Sequence, residues 1–103
     1  MNNPEDLKLV TLAKNTLARS GALQAAALRD NTGRTYVAIN VASPELTLDA
    51  CEAVLTVALA SGITGIESVV YVGAESARIQ VIKAFDSSAL IFFISLDGQT
   101  RAL

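Results

Sequence analysis

The stretch LTLDACEAVLTVALASG, residues 46–62, decides the fold. A helix is predicted to begin between Ser43-Pro44 and Asp49 and to end at Gly62. Asp49 followed three residues later by Glu52 fits a capping box at its start. The helix has no polar face, whereas a helix at the surface of a monomer carries one. We therefore expect residues 49–60 to be covered by their own sheet and by another subunit, in a homo-dimer or homo-tetramer.

The length and charge of the chain bound its class. Its 103 residues correspond to one domain, residues 1–103, and a hydrophobic content of 51% is too high for disorder. No apolar run approaches the roughly 18–20 residues that span a bilayer. With a net charge of −2, nucleic acid and membrane surfaces are not expected partners. The polar, acidic start of residues 1–6 is unlike a secretory signal, so we expect a cytoplasmic protein.

The counts of histidine and cysteine exclude much chemistry. The sequence has no histidine and one cysteine, Cys51. One chain therefore cannot build a Ser-His-Asp or Cys-His nucleophile system, a histidine metal site or a multi-cysteine zinc site. A single thiol also forms no disulfide within the chain.

The remaining pattern alternates helices and strands. A strand, a helix and a second strand in succession predict a parallel pair with a right-handed crossover, whereas the early hairpin is antiparallel. The result is a mixed sheet flanked by helices. The predicted elements are a helix at 4–20, strands at 22–29 and 34–41, a strand at 68–72, an amphipathic helix at 74–85, a strand at 89–96 and an edge strand at 99–103.

Several short motifs carry a resemblance to a known family. In chain order they are AAAL at 25–28, GRTY at 33–36 followed by Asn40-Val41, LTL at 46–48 before the apolar helix, QVIKAF at 80–85 and LDG at 96–98. Their order and spacing resemble those of the cytidine deaminase family over residues 7–103. The resemblance implies a cytidine deaminase-like three-layer α/β/α fold with a mixed sheet of four to five strands.

The resemblance also shows which residues replace the family's zinc site. The family uses three zinc ligands, from Cys/His-Ala-Glu and Pro-Cys-x-x-Cys motifs, and the glutamate moves protons. Placed without a gap from residue 46, the first motif puts Asp49 at the ligand position and Cys51 at the glutamate. A register shifted by one makes Glu52 the glutamate and Ala50 the ligand. The second motif falls on residues 74–78, with Glu75 and Arg78 replacing its two cysteines.

These replacements imply a protein without catalytic residues, bound metal or cofactor. Asn40 of the family's ribose-binding Asn-x-Glu motif is kept, but Ala42 stands at its glutamate position. We expect a catalytically inactive structural or interaction protein that forms homo-oligomers, with a further protein partner left open. The alternatives are a nucleoside- or nucleotide-binding module, with Asn40 and Ala50 as residual ligand contacts, and an atypical deaminase.

We predict that an ion cluster replaces the zinc, with Arg78 bridging Asp49 and Glu75 between two helix starts. Two simpler interpretations stay open. Asp49 is then only a helix cap, and Glu75 and Arg78 form an exposed surface pair. Cys51 is either a buried structural residue or a thiol with a lowered pKa, and Asn40 either stabilises a turn or binds ribose. Metal binding by the side chains of Asp49, Cys51 and Glu75 is the remaining alternative.

Overall fold

The computed structural model describes residues 1–103, with a helix first and then strands interrupted by two further helices. The helices are α1 (Pro4–Ser20), α2 (Ala50–Ala60) and α3 (Gln80–Phe85). The strands are β1 (Gln24–Asp30), β2 (Thr35–Ile39), β3 (Val41–Ala42), β4 (Thr47–Leu48), β5 (Ile66–Gly73), β6 (Leu90–Ile94) and β7 (Thr100–Ala102).

Five strands form one mixed sheet in the order β2-β1-β5-β6-β7. The pair β5 and β6 is parallel and the other three pairs are antiparallel, which confirms the predicted topology and the edge strand near the end of the chain. Strands β3 and β4 make a separate two-stranded hairpin that the sequence pattern did not predict. Each contributes only two residues, too few to show an alternation of apolar and polar side chains.

Helices cover both faces of this sheet, which confirms the three-layer α/β/α architecture. Alternate side chains of β1 point to opposite faces. Ala25 and Ala27 join the core under α1, whereas Ala26 and Leu28 join the larger core under α2 and α3. The three alanines allow helices to approach β1 closely from both sides.

Helix α1 has the boundaries that its sequence predicts. The side chain of Asn3 accepts a hydrogen bond from the backbone N–H of Glu5 at 2.8 Å, and Pro4 occupies the first turn. Arg29 of β1 fastens the helix to the sheet through a 2.8 Å ion pair with the buried Asp6. No helix in the structure combines the length and the apolar character needed to cross a membrane.

Helix α2 confirms the predicted capping box, and its inner side lies in the core. Cys51, Val54 and Ala58 have no accessible surface. On its outer side, Val57 and Leu59 remain 43% and 46% exposed. Within one chain the helix is therefore covered on the side of the sheet and open on the other.

The helix predicted over residues 74–85 is wrong in its first half, because α3 begins only at Gln80. Its first helical hydrogen bond would join the C=O of Ala74 to the N–H of Arg78. That N–H instead donates to Asp49 Oδ2, and the C=O of Ala74 accepts from Gln24 Nε2. Side chains from other elements therefore hold residues 74–79 in an irregular path.

Gly73 makes this path sterically feasible. Its φ of 95° lies in the left-handed region, and an added Cβ would lie 2.3 Å from the backbone oxygen of Leu23. A side chain at this position would meet both strain and a backbone clash. Glycine therefore lets the chain leave β5 in close contact with the residues before β1.

Candidate functional site

The candidate site lies where the start of α2 meets the irregular segment of residues 74–79. Asp49 Oδ1 accepts a hydrogen bond from the N–H of Glu52 at 2.8 Å, and Glu52 Oε1 accepts from the N–H of Asp49 at 2.9 Å. The second carboxylate oxygen of Asp49 accepts from the N–H of Arg78 at 2.7 Å. Asp49 therefore caps the helix, as predicted, and also ties it to the neighbouring segment.

The side chain of Gln24 also joins the start of α2 to residues 74–79. Its Oε1 accepts from the N–H of Ala50 at 2.7 Å. Its Nε2 donates to the carbonyl oxygens of Ala74 at 2.5 Å and Ser76 at 3.1 Å. The residue is only 2% exposed, so these bonds are shielded from water. Both ends of the carboxamide are therefore engaged in one buried network.

Asn40 fixes the backbone of Gln24. The side-chain oxygen of Asn40 accepts from the N–H of Gln24 at 3.1 Å, and the N–H of Asn40 donates to the C=O of Gln24 at 3.2 Å. The two residues predicted as residual ligand contacts, Asn40 and Ala50, thus both direct polar groups towards Gln24. These bonds give Asn40 a structural role at the end of β2.

The predicted bridge of Arg78 between Asp49 and Glu75 is wrong in its partners. The side chain of Arg78 is 70% exposed and its guanidinium donates to Glu52 at 2.9 Å, while only the backbone N–H of Arg78 reaches Asp49. The reason is the irregular path of residues 74–79, which turns this side chain outwards.

The predicted surface pair of Glu75 with Arg78 does not form either. The carboxylate of Glu75 forms an ion pair with Arg101 of β7. The guanidinium of Arg101 also lies over the ring of Phe93, with its central carbon 5.5 Å from the ring centroid. Each member of the predicted pair therefore has a partner on a different element.

Cys51 points into the core, as the structural reading of this residue predicts. It has no accessible surface, and its thiol is free. Burial, together with the negative charges of Asp49 and Glu52, raises the pKa of the Cys51 thiol far above its usual range. The lowered pKa considered for a reactive thiol is therefore wrong, and the thiol stays protonated at neutral pH.

These side chains do not fit a zinc ion. No group of three or more histidine, cysteine, aspartate or glutamate side chains lies close enough together to hold a metal. Both oxygens of the Asp49 carboxylate are engaged by N–H donors, and Glu75 is paired elsewhere. At the last motif position stands Arg78, whose charged guanidinium has donors and no acceptor.

A shallow groove of about 250 Å³ lies beside the site. Asn40 and Asp49 supply polar side chains to it, and Leu48 supplies apolar surface. Ligand pockets for drug-sized molecules usually have volumes of about 300–1,000 Å³. The groove lies just below this range.

Comparison with known proteins identifies the family of this chain. The model of the cytidine deaminase-like family matches residues 2–98. The chain belongs to this family. No curated protein matches it at a significant level.

Solved structures of cytidine deaminases share the fold of this family member. The enzyme from Burkholderia pseudomallei superimposes with a TM-score of 0.74 at 19% identity, over 93% of this chain and 89% of that one. The enzyme from Mycobacterium leprae gives a TM-score of 0.71 at 17% identity, over 98% and 94% of the two chains. At these identities the likeness establishes the fold alone.

Sequence reasoning missed Gln24, whose side chain forms the most hydrogen bonds at the site. Its signal was a single amide at the head of the apolar run of residues 25–28. A buried amide has to find hydrogen-bond partners, and nothing nearby in sequence supplies them. Its partners Ala50, Ala74 and Ser76 lie 26 to 52 residues away along the chain.

Proposed function

We propose that this cytidine deaminase-like protein is catalytically inactive and acts as a structural or interaction protein in a homo-oligomer. The observation that carries the proposal is the divergence of the residues at the motif positions. Asp49 is a helix cap, Cys51 lies in the core, and the side chains of Glu75 and Arg78 pair with separate elements. No three of them converge on a point where a reacting water could be held.

The chemistry of deamination supports the same conclusion. Hydrolytic removal of an amine from a pyrimidine needs an activated water and a group that moves protons. A thiol with a strongly raised pKa supplies no base, and the candidate glutamate, Glu52, accepts from the N–H of Asp49 and from Arg78. Both candidates for the proton-transferring group are thereby committed to structure.

The outer side of α2 supports the homo-oligomer. Its exposed residues between Val57 and Ala60 carry no charge, and the hydroxyl of Thr56 donates to the C=O of Glu52 at 2.8 Å. The surface left to solvent is mainly aliphatic, and a second copy of the chain would shield it. The proposal also puts the protein in the cytoplasm, where the free thiol of Cys51 stays reduced.

Two measurements on the purified chain test the inactivity. Zinc content is determined by elemental analysis, and cytidine deamination is followed as uridine production with and without added zinc. We expect less than one-tenth of a zinc ion per chain and no uridine above the buffer control. Uridine formation by zinc-loaded protein would overturn the proposal and make the chain an atypical deaminase.

Light scattering at micromolar concentration tests the oligomer. We expect a dimer or tetramer for the natural chain, and dissociation for Leu59→Lys, because a charge on the outer side of α2 would have to be desolvated at the contact. Thr11→Lys on the exposed side of α1 is the matched control and should keep the assembly. A natural chain that scatters as a monomer contradicts this part of the proposal.

The groove beside Asn40 and Asp49 favours a second candidate, a nucleoside- or nucleotide-binding module without chemistry. The engagement of the Asn40 side-chain oxygen by Gln24 argues for the first candidate. Titration calorimetry with cytidine, uridine and their monophosphates separates the two. Saturable binding at or below millimolar ligand supports the binding module, and its absence removes it.

A further inference from the structure

The side chain of Gln24 joins the two segments on which the zinc motifs of the resemblance fall, residues 49–52 and 74–78. We propose that its carboxamide is a metal-free cross-link between the start of α2 and residues 74–78. The inference rests on the proposed loss of the metal and names what stabilises the site in its place.

The first argument is the number of elements that one side chain joins. Gln24 belongs to β1, its Oε1 binds the first N–H of α2, and its Nε2 binds two carbonyls of the segment that follows β5. All three bonds are 3.1 Å or shorter. A zinc ion joins elements by coordinating a side chain from each; here one amide joins them by hydrogen bonds.

The second argument is that the direction of these bonds excludes a cation. The two amide hydrogens of Gln24 point to Ala74 and Ser76, and the amide oxygen is occupied by the N–H of Ala50. A metal ion here would face N–H groups instead of free lone pairs. The nearest carboxylate, Asp49, has each oxygen engaged by a backbone N–H. The network is complete and offers no coordination position.

The third argument is that side chains, and not a helical ladder, bind the carbonyls at the start of the segment. Residues 74–79 form no regular secondary structure, and Ala74, Glu75 and Ser76 are all exposed. Their carbonyls are held from outside: Gln24 takes those of Ala74 and Ser76, and the hydroxyl of Tyr71 donates to that of Glu75 at 2.8 Å. Without the amide, two of these three carbonyls lose their partner.

The experiment compares Gln24→Leu with Gln24→Glu, and uses Gln99→Leu as the matched control because that glutamine is exposed and its side chain has no hydrogen bond. Leucine has a similar size but forms no hydrogen bond. Glutamate is isosteric, but its carboxylate cannot donate to the two carbonyls. The readouts are the thermal midpoint and amide hydrogen exchange at Ala50 and Arg78.

We expect both Gln24 variants to unfold roughly 10 °C below the natural chain, while the control stays within about 2 °C. Amide exchange at Ala50 should be about tenfold faster or more in Gln24→Leu, whereas Gln24→Glu keeps an acceptor oxygen for that N–H. The difference in thermal midpoint between Gln24→Glu and the natural chain should become smaller below about pH 5, because a protonated carboxyl regains one donor. If Gln24→Leu gives no soluble protein and Gln24→Glu does, the thermal midpoint of Gln24→Glu decides the test. Gln24 variants as stable and protected as Gln99→Leu would overturn the cross-link.

Metal dependence is measured on the same samples. Excess EDTA and added zinc should each leave the thermal midpoint of the natural chain unchanged. A lower midpoint in the presence of EDTA would overturn the metal-free cross-link. Uridine production, together with destabilised Gln24 variants and a thermal midpoint that EDTA leaves unchanged, would end the proposed inactivity and keep the cross-link. Unaffected Gln24 variants without zinc or uridine would end the cross-link and keep the inactivity.

Discussion

The two pieces of chain that meet at the candidate site are stabilised in opposite ways. The start of α2 is determined mainly by its own residues, since Asp49 and Glu52 cap each other's backbone three positions apart, and Gln24 adds one acceptor for the N–H of Ala50. Residues 74–79 are held from outside by Gln24, Asp49 and Tyr71. A helix start that is capped by its own residues can be predicted from sequence. A segment that is shaped by distant side chains cannot, because its local sequence favours a helix that does not form.

The largest effect in this comparison is expected at Gly73, where the second segment begins. Gly73→Ala should lower the free energy of unfolding by roughly 3 kcal/mol, because the new Cβ meets both left-handed strain and the oxygen of Leu23. Gly62→Ala is the control, since Gly62 has φ 83° but nothing within 4 Å, and it should lose only about 1 kcal/mol. Urea unfolding of both variants gives the difference. Equal losses would show that strain alone, without the clash, sets the requirement.

A smaller loss is expected at Asp49, the residue shared by both segments. Asp49→Ala removes the helix cap and the acceptor for the Arg78 N–H, and should lower the free energy of unfolding by about 2 kcal/mol. Asp49→Asn keeps one acceptor oxygen and should lose about half as much. Urea unfolding measures both, and identical values would mean that only one of the two hydrogen bonds contributes.

The guanidinium of Arg78 should contribute little, because its ion pair with Glu52 is exposed. Arg78→Ala should change the free energy of unfolding by at most about 0.5 kcal/mol. The same truncation at the buried Arg29, paired with Asp6, should cost about 3–5 kcal/mol. A similar loss in the free energy of unfolding at the two arginines would support the ion cluster of Arg78 with Asp49 and Glu75 that the sequence predicted.

The smallest effect is expected at Asp86, which closes the far end of α3. Its carboxylate accepts from the N–H of Ile66 at 2.9 Å and from Ser88, and these bonds lower the pKa of Asp86. A lowered folded-state pKa adds stability above the ordinary aspartate value of about 3.9, and that stability is lost as the pH falls through the lowered value. Asp86→Asn should therefore flatten the fall of the thermal midpoint below about pH 4.

Glu45→Gln, at an exposed loop position, is the control for this pH profile. It should follow the natural chain between about pH 5 and pH 2. An Asp86→Asn profile that overlays the control would show that the bonds to Ile66 and Ser88 do not depend on the charge.

Most of the fold could be predicted because its signals are local. The cap at Asp49, the proline at position 4 and the apolar runs of the strands each lie within a few residues of the element they specify. The small β3–β4 hairpin and the start of α3 were missed, since two-residue strands show no periodicity and residues 74–79 depend on Gln24.

The candidate site was predictable only in part. The motif positions could be located through the family resemblance, and the burial of Cys51 followed from its apolar neighbours. The partners of Arg78 and Glu75 could not be predicted, because they depend on where the backbone turns after Gly73. Arg101, which binds Glu75, lies on an edge strand 26 residues away.

The hydrogen bonds of Gln24 also have a consequence for the order of folding. They close loops of 26, 50 and 52 residues, which costs entropy, so we expect them to form after β1 has paired with β5 and α2 has packed on the sheet. Interactions absent from the transition state change the unfolding rate and leave the folding rate nearly untouched. Loss of the Gln24 side chain should therefore shorten the lifetime of the native state without slowing its formation.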